Sequence, residues 1–144
     1  MSAPAMLPVG LDDHELLVDA SLVREVLGEV AVIRVPQADL DVPGVFLWNG
    51  QAVPLLDLGH CLGLGSANSR AKTRTIVGRV NGELVGFGVH ELREILTVAE
   101  TEFKPPRVHE LPFSSAEVQR DSSVSTVLDL PKLVAHVMHI KSVE

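Results

Sequence analysis

The stretch from Arg74 to Val89 reads RTIVGRVNGELVGFGV and carries the strongest structural signal in the chain. Two arms rich in β-branched residues flank Asn81-Gly82, and an Asn-Gly pair tolerates the positive φ angles that a type I′ turn requires. Gly78, Gly86 and Gly88 lie inside the arms, where glycine indicates a bulge or the close approach of another part of the chain. The stretch therefore predicts a β-hairpin.

A second Asn-Gly pair, Asn49-Gly50, predicts another hairpin with arms at Val45–Trp48 and Gln51–Leu58. Pro54 lies in the second arm, and because proline donates no backbone hydrogen bond we expect it at an edge or a bulge. Four further segments have strand character: 14–18, 30–35, 116–119 and 124–128. Many short strands with regular turns predict an all-β barrel or sandwich.

Short helices are predicted at three places. Asp19 or Ser21 is a suitable N-cap for a helix over Leu22–Leu27, which Gly28 would end. A single turn is predicted at Leu58–Leu62. At the C-terminus, Pro131 fits a first helical position and opens a helix to Ile140 with an apolar stripe.

Composition narrows the function classes. The chain has 144 residues, 46% of them hydrophobic, so one folded unit is expected rather than disorder. A net charge of −7 argues against nucleic acid and anionic membranes as partners, and 3% aromatic residues argue against a base-stacking surface. A single cysteine excludes an internal disulfide, and no leader or apolar run of about 20 residues is visible, so we expect a cytoplasmic protein without membrane insertion.

Candidate catalytic and metal-binding residues are sparse. His60-Cys61 resembles half of a metal site, and His136 and His139 share a helix face at the i, i+3 spacing. A surface imidazole beside a partly buried thiol, and a solvated helix face, explain the same residues. We therefore expect no enzyme, no metal and no cofactor, with a metal-binding or enzymatic module as a minor alternative. Binding is then the default function, through apolar anchors or through strand-edge pairing with extended peptides.

Four stretches in order resemble the CheW-like domain family of bacterial chemosensory arrays. They carry a strand ending in a V-x-E-hydrophobic pattern, a G-V-x-N-L-R-G-x-x-x-P-V-I-D-L pattern, a long hairpin with G-hydrophobic-x-V-D-x-V, and a closing L-D-x-x-K-L. Here these are residues 15–26, 43–58, 76–98 and 128–133. The second is the most specific, and the resemblance spans roughly residues 9–137.

The resemblance implies a fold of two small five-stranded SH3-like barrels packed together, with short helices including one at the C-terminus. It predicts a single domain over residues 9–140, with a sub-barrel boundary at about 70–75 and residues 1–8 disordered. It also implies a non-enzymatic adaptor that couples the cytoplasmic tips of chemoreceptors to the regulatory domain of a CheA-type histidine kinase. The family holds the receptor helix in an apolar groove between its lobes.

Carried over by motif position, the receptor-binding residues are Val23, Glu25, Val26, Gly44 and Asn49. Each has an ordinary structural explanation as well: core for the valines, turn residues for Gly44 and Asn49, and a solvated or otherwise paired carboxylate for Glu25. Trp48 is either a partner anchor or part of a lobe core.

The sequence departs from the family pattern in three ways. Asn49 replaces an arginine that in the family faces the glutamate matched by Glu25, and asparagine provides neither a positive charge nor a guanidinium fork. His90 replaces an aspartate, and the first strand is short, with Pro8 and Gly10 around it. An alternative is therefore a divergent member that binds the receptor or another array partner while kinase binding is weakened or lost.

Overall fold

The structure is a computed structural model in which two β-sheets define two lobes. The residues that it describes are 3–11, 13–36, 40–64, 74–107, 111–120 and 122–142, with side chains described up to Met138. In this part of the chain, no helix is both long and apolar enough to span a bilayer.

The first lobe contains a seven-stranded sheet with the order β10-β1-β2-β13-β12-β11, and β9 also pairs with β1. Its strands are β1 (Ala5–Leu11), β2 (His14–Asp19), β9 (Glu91–Leu92), β10 (Leu96–Thr97), β11 (Phe103–Lys104), β12 (Ser114–Arg120) and β13 (Ser123–Leu128). The β1–β2 and β12–β13 hairpins are joined by a parallel pairing of β2 with β13.

The second lobe contains a six-stranded sheet with the order β3-β7-β8-β6-β5-β4. Its strands are β3 (Val23–Leu27), β4 (Ile33–Arg34), β5 (Gly44–Trp48), β6 (Gln51–Leu56), β7 (Arg74–Val80) and β8 (Glu83–Val89). Here too, two hairpins are joined by a parallel pair, β6 with β8. The all-β, two-lobed class is thus confirmed, and short additional strands raise the counts above the five expected per lobe.

The chain passes between the sheets at two points. A 3₁₀ turn at Ala20–Leu22 leads from β2 into β3, and the return to the first lobe follows β8 at His90. The boundary predicted at about 70–75 falls largely outside the described residues. The strands on either side of it, β6 and β7, belong to the same sheet.

Both predicted Asn-Gly hairpins are present. Asn49 and Asn81 have φ angles of 50° and 54°, and the following glycines have 76° and 80°, as a type I′ turn requires. Inside β8, Gly86 lies beneath the ring of Phe46, because a Cβ at that position would come 2.4 Å from the ring. The close approach predicted for the strand glycines therefore occurs at Gly86.

The two lobes share one hydrophobic core. Leu16 of β2 and Phe87 of β8 meet there with the buried face of the C-terminal helix α2 (Leu130–Ser142), which includes Leu133 and Val137. Asp129 caps α2 by accepting a hydrogen bond from the backbone N–H of Lys132 at 3.0 Å. The predicted C-terminal helix and its apolar stripe are confirmed. The one-turn helix α1 (Leu58–Cys61) is confirmed as well.

Three local predictions need correction. Within the predicted helix 22–27, Val23–Leu27 form strand β3 instead, because pairing with β7 replaces local helical hydrogen bonds, and Leu22 ends the preceding 3₁₀ turn. Asp19 still acts as a cap, but of the short 3₁₀ turn. Ala5–Pro8, within residues 1–8 that were expected to be disordered, belong to β1, where pairing with β2 orders them and buries Met6 and Leu7. Of the segment 30–35, only Ile33–Arg34 pair as a strand.

Candidate functional site

Glu25 and Trp48 lie side by side in the second lobe. In β3, the register shifts between Val23 and Glu25, and Glu25 then pairs opposite Val77 of β7. The Trp48 indole Nε1 donates a hydrogen bond to Glu25 Oε1 at 2.8 Å. Glu25 is exposed, whereas Trp48 is half-buried. The two residues are 23 positions apart in the chain and lie on strands that are not neighbours in the sheet.

Trp48 packs against a small core inside the second lobe. That core consists of Phe46, Val53 and Val77, with Leu27 among the partly buried residues around it. The indole thus has two functions: its ring extends the lobe core, and its N–H orients the Glu25 carboxylate. The core-packing role considered for Trp48 is observed, and its role as a partner anchor stays a prediction.

Val23 and Val26 face the opposite side of β3 from Glu25. Val23 is half-buried against the core shared by the lobes. Val26 pairs with the buried Ile76, yet 41% of Val26 is exposed. The two valines therefore form an apolar margin of the shared core that reaches the surface, which suits them to contact an apolar partner.

Gly44 and Asn49 lie at opposite ends of the β5 arm, about 16 Å apart at the usual rise of a strand. Gly44 is buried, and a Cβ there would come 2.4 Å from the backbone oxygen of Ile33. Its role is to let β4 and β5 approach each other. Asn49 is exposed in the turn directly after Trp48. The structure thus groups Asn49 with Glu25 and Trp48, but leaves Gly44 away from that surface.

His90 lies at the junction of the lobes. It is only 7% exposed, and its backbone N–H donates to the carbonyl of Gly10 at 2.9 Å. The histidine that replaces the family's aspartate is therefore part of the packed connection between β8 and β9 rather than of the outer surface.

The predicted alternative site at His60 and Cys61 contains an additional residue, Asp41. His60 Nδ1 and Asp41 Oδ1 are 2.6 Å apart. Burial, and then the nearby carboxylates of Asp41 and Asp57, raise the pKa of the Cys61 thiol to about 12. A thiol ligates metals and attacks substrates as the thiolate, so Cys61 is poorly suited to either role at neutral pH.

Only one member of the second predicted histidine pair, His136, has a described side chain. His136 contacts the ring of Phe113, with centroids 5.5 Å apart, and the side chain of His139 lies outside the described residues. Among the described residues, no group of three or more His, Cys, Asp and Glu side chains is arranged to hold a metal ion.

The outer face of β4 and β5 carries exposed apolar residues that the sequence analysis did not single out. Ile33 is 54% exposed and pairs with Val45, and Leu47, two positions further along β5, is 66% exposed. The sequence of β5 contains a signal for this exposed face, because the strand has apolar residues on both faces, whereas a strand with one solvated face alternates apolar and polar residues. Leu47 stands where the family motif has an asparagine.

Comparison with known proteins identifies the family. The model of the CheW-like domain matches residues 5–138. The chain belongs to the CheW-like domain family. A scaffolding protein of this family from Thermoanaerobacter tengcongensis, TtCheW, has a crystal structure that superposes with a TM-score of 0.81 and 22% identity. The superposition covers 91% of this chain and 92% of TtCheW, which supports the shared fold.

Several chemotaxis proteins named CheW are similar in sequence. That of Rhizobium meliloti is 31% identical over 93 residues, which are 65% of this chain and 60% of that protein. That of Helicobacter pylori is 28% identical over 95 residues, 66% of this chain and 58% of that protein. The chain thus spans about three fifths of these two relatives. The CheW of Thermotoga maritima is 24% identical over 134 residues, 92% of this chain and 88% of that protein.

Proposed function

We propose that this protein is a non-enzymatic, cytoplasmic adaptor of a bacterial chemosensory array. It couples the cytoplasmic tips of chemoreceptors to the regulatory domain of a CheA-type histidine kinase. The observation that carries the proposal is the match of the CheW-like domain model to residues 5–138, which runs through both lobes and the helix between them. Relatives named as chemotaxis proteins and as a scaffolding protein support the same role.

The surface proposed for the receptor is the margin around β3. Val26 offers exposed apolar area there, Glu25 and Trp48 lie on the other side of the strand, and Asn49 extends the surface into the adjacent turn. An amphipathic helix is bound through apolar anchors with polar groups at the rim. Gly44 contributes indirectly, by allowing the close β4–β5 pairing.

The test is direct binding of the purified chain to two fragments, a receptor cytoplasmic tip and a kinase regulatory domain, measured by biolayer interferometry. We expect saturable binding to both. Val26→Asp is expected to weaken receptor binding about tenfold, since a charge would be buried against an apolar partner. Ile95→Asp is the matched control, because Ile95 is also exposed and apolar but lies in the first lobe. Absence of binding to both fragments would reject the adaptor role.

A second candidate is a divergent adaptor that binds the receptor and has weakened or lost kinase binding. The observation that favours it is the pairing of Glu25 with the neutral indole of Trp48 instead of with a cation. This pairing alters the charge that a kinase domain would meet at Glu25. A titration with the kinase fragment separates the two candidates: tight binding excludes the divergent adaptor, and receptor binding alone excludes the full coupling role.

A further inference from the structure

The Glu25 carboxylate is oriented by the protein, and no described residue forms an ion pair with it. Its Oε1 accepts the indole N–H of Trp48 at 2.8 Å, and Glu25 is exposed. In the described part of the chain, the ion pairs are formed by other carboxylates, those of Glu15, Asp41, Glu91 and Glu117. The second oxygen of Glu25 is therefore available to a donor from outside the chain.

The nearest cation in the sequence, Arg24, is directed elsewhere. Its Nη1 donates a hydrogen bond at 3.0 Å to the backbone oxygen of Ser21, in the preceding 3₁₀ turn. The exposed residues that follow Trp48 are Asn49, Gly50 and Gln51, all uncharged. A positive group approaching Glu25 thus meets no repelling charge from these neighbours, and the net charge of −7 attracts it.

An indole ring beside a fixed carboxylate suits a guanidinium group. Trp48 is only half-buried, and its Nε1 lies 2.8 Å from the carboxylate, so the residue is partly accessible to a partner group. Guanidinium is planar, stacks on aromatic faces and donates in pairs to carboxylates, whereas the ammonium of lysine is a compact, strongly hydrated charge. The hydrogen bond from Nε1 fixes one carboxylate oxygen and so reduces the entropy lost when a donor binds.

We propose that Glu25 and Trp48 together form a binding site for an arginine side chain on the partner segment that this chain holds. The proposal rests on the proposed function for the identity of that segment, a chemoreceptor tip. It predicts that the receptor bound by this adaptor carries an arginine where the receptor helix crosses the end of β5 and the middle of β3. Glu25 is then a specificity determinant.

The site contains its own reporter. Trp48 is the one tryptophan of the chain, and the chain has no tyrosine, so emission excited at 295 nm reports on this residue alone. The probes are N-acetylarginine amide, N-acetyllysine amide and the neutral isostere N-acetylcitrulline amide. At matched high probe concentrations, we expect a progressive change in Trp48 emission with the arginine probe, a smaller change with lysine, none with citrulline, and weakening by salt.

Glu25→Gln removes the charge but keeps an oxygen that accepts from the indole, so the lobe is expected to fold normally. It should abolish the response to the arginine probe. Glu29→Gln, which changes another exposed carboxylate in the same lobe, should leave the response intact. An equal response in Glu25→Gln, or an equal response to citrulline, would overturn the arginine site.

A second measurement separates this inference from the proposed function. With a receptor-tip fragment, Glu25→Gln should weaken binding about twofold to fivefold, the upper range of an exposed ion pair, because the variant keeps Trp48. Binding of the tip that changes by less than twofold would overturn the inference and leave the adaptor role standing. A Trp48 response to the arginine probe that Glu25→Gln removes, without binding of any receptor tip, would overturn the adaptor role and leave the arginine site standing.

Discussion

Replacing Gly86 with alanine tests the packing that holds the second lobe together. A Cβ at this position would lie 2.4 Å from Cε1 and 2.5 Å from Cζ of Phe46. Non-bonded carbon atoms pack about 3.5–4.0 Å apart, so the ring would have to retreat by about 1 Å. Phe46 is 1% exposed and packs against Val53 and Val77, which are fully buried, so little room exists for that movement.

The size of the effect follows from two opposing terms. Overpacking a well-packed core costs about 1–3 kcal/mol. Alanine restricts the unfolded chain more than glycine does, which returns about 0.4–1 kcal/mol. We therefore expect Gly86→Ala to lower the free energy of unfolding by about 1–2 kcal/mol, a fall of a few degrees in Tm for a chain of this length. Thermal and urea unfolding followed by Trp48 fluorescence measure both quantities.

Two controls give the experiment its discrimination. Gly28→Ala places a Cβ at an exposed position with no atom within 4 Å, and it should be neutral or slightly stabilising. Phe46→Leu frees space above Gly86, so the double variant should be less destabilised than the sum of the single variants by at least about 0.5 kcal/mol. A Gly86→Ala variant as stable as Gly28→Ala, or strictly additive single variants, would refute the packing argument.

Three further outcomes follow from the structure. The pKa of Cys61 is raised from 9.0 to about 12, so the unfolded chain loses the thiol proton first, and the free energy of unfolding should fall as the pH rises from 9 to 12. Urea titrations should show a shallower fall with pH for Cys61→Ala, and the same dependence on pH in both proteins would contradict this. Asn81→Ala should lower the free energy of unfolding by about 1 kcal/mol more than Asn49→Ala. Both asparagines have positive φ, but only the Asn81 side chain is recorded as donating to a carbonyl, that of Pro131 at 2.8 Å, and equal losses of Tm would contradict the prediction. Leu47→Ser should change stability by less than about 0.5 kcal/mol, because the side chain is 66% exposed, and a larger loss in urea unfolding would show that Leu47 is buried.

Local chemistry was sufficient to predict the hairpins and the C-terminal helix. Asn-Gly pairs need positive φ, and Pro131 together with the apolar stripe marks a helix start, so these elements are encoded within a few residues. The helix predicted over residues 22–27 was wrong because Asp19 caps only a short 3₁₀ turn. Pairing with β7, some 50 residues away, determines the conformation beyond the first turn.

The residues of the proposed site were selected from the sequence, but their arrangement was not predictable from it. Motif positions point to Glu25 and Asn49, and the preference of interfaces for tryptophan points to Trp48. The structure places Trp48 against Glu25, and Asn49 follows Trp48 directly in the chain. The hydrogen bond between Glu25 and Trp48 depends on how the sheet of the second lobe curves, since β3 and β5 are not neighbouring strands. The contact between Asp41 and His60 likewise joins residues 19 positions apart through tertiary packing, which no local pattern encodes.

Hydrogen exchange with and without a receptor-tip fragment tests the central claim most directly, because it locates the contact surface on the whole chain. A protein that functions by holding a receptor helix against the β3 margin should show slowed exchange over Val23–Leu27 and the turn at Asn49-Gly50. Exchange over β11, at the far edge of the first lobe, should stay unchanged. Unaltered exchange throughout, or protection confined to the helix α2, would contradict the account.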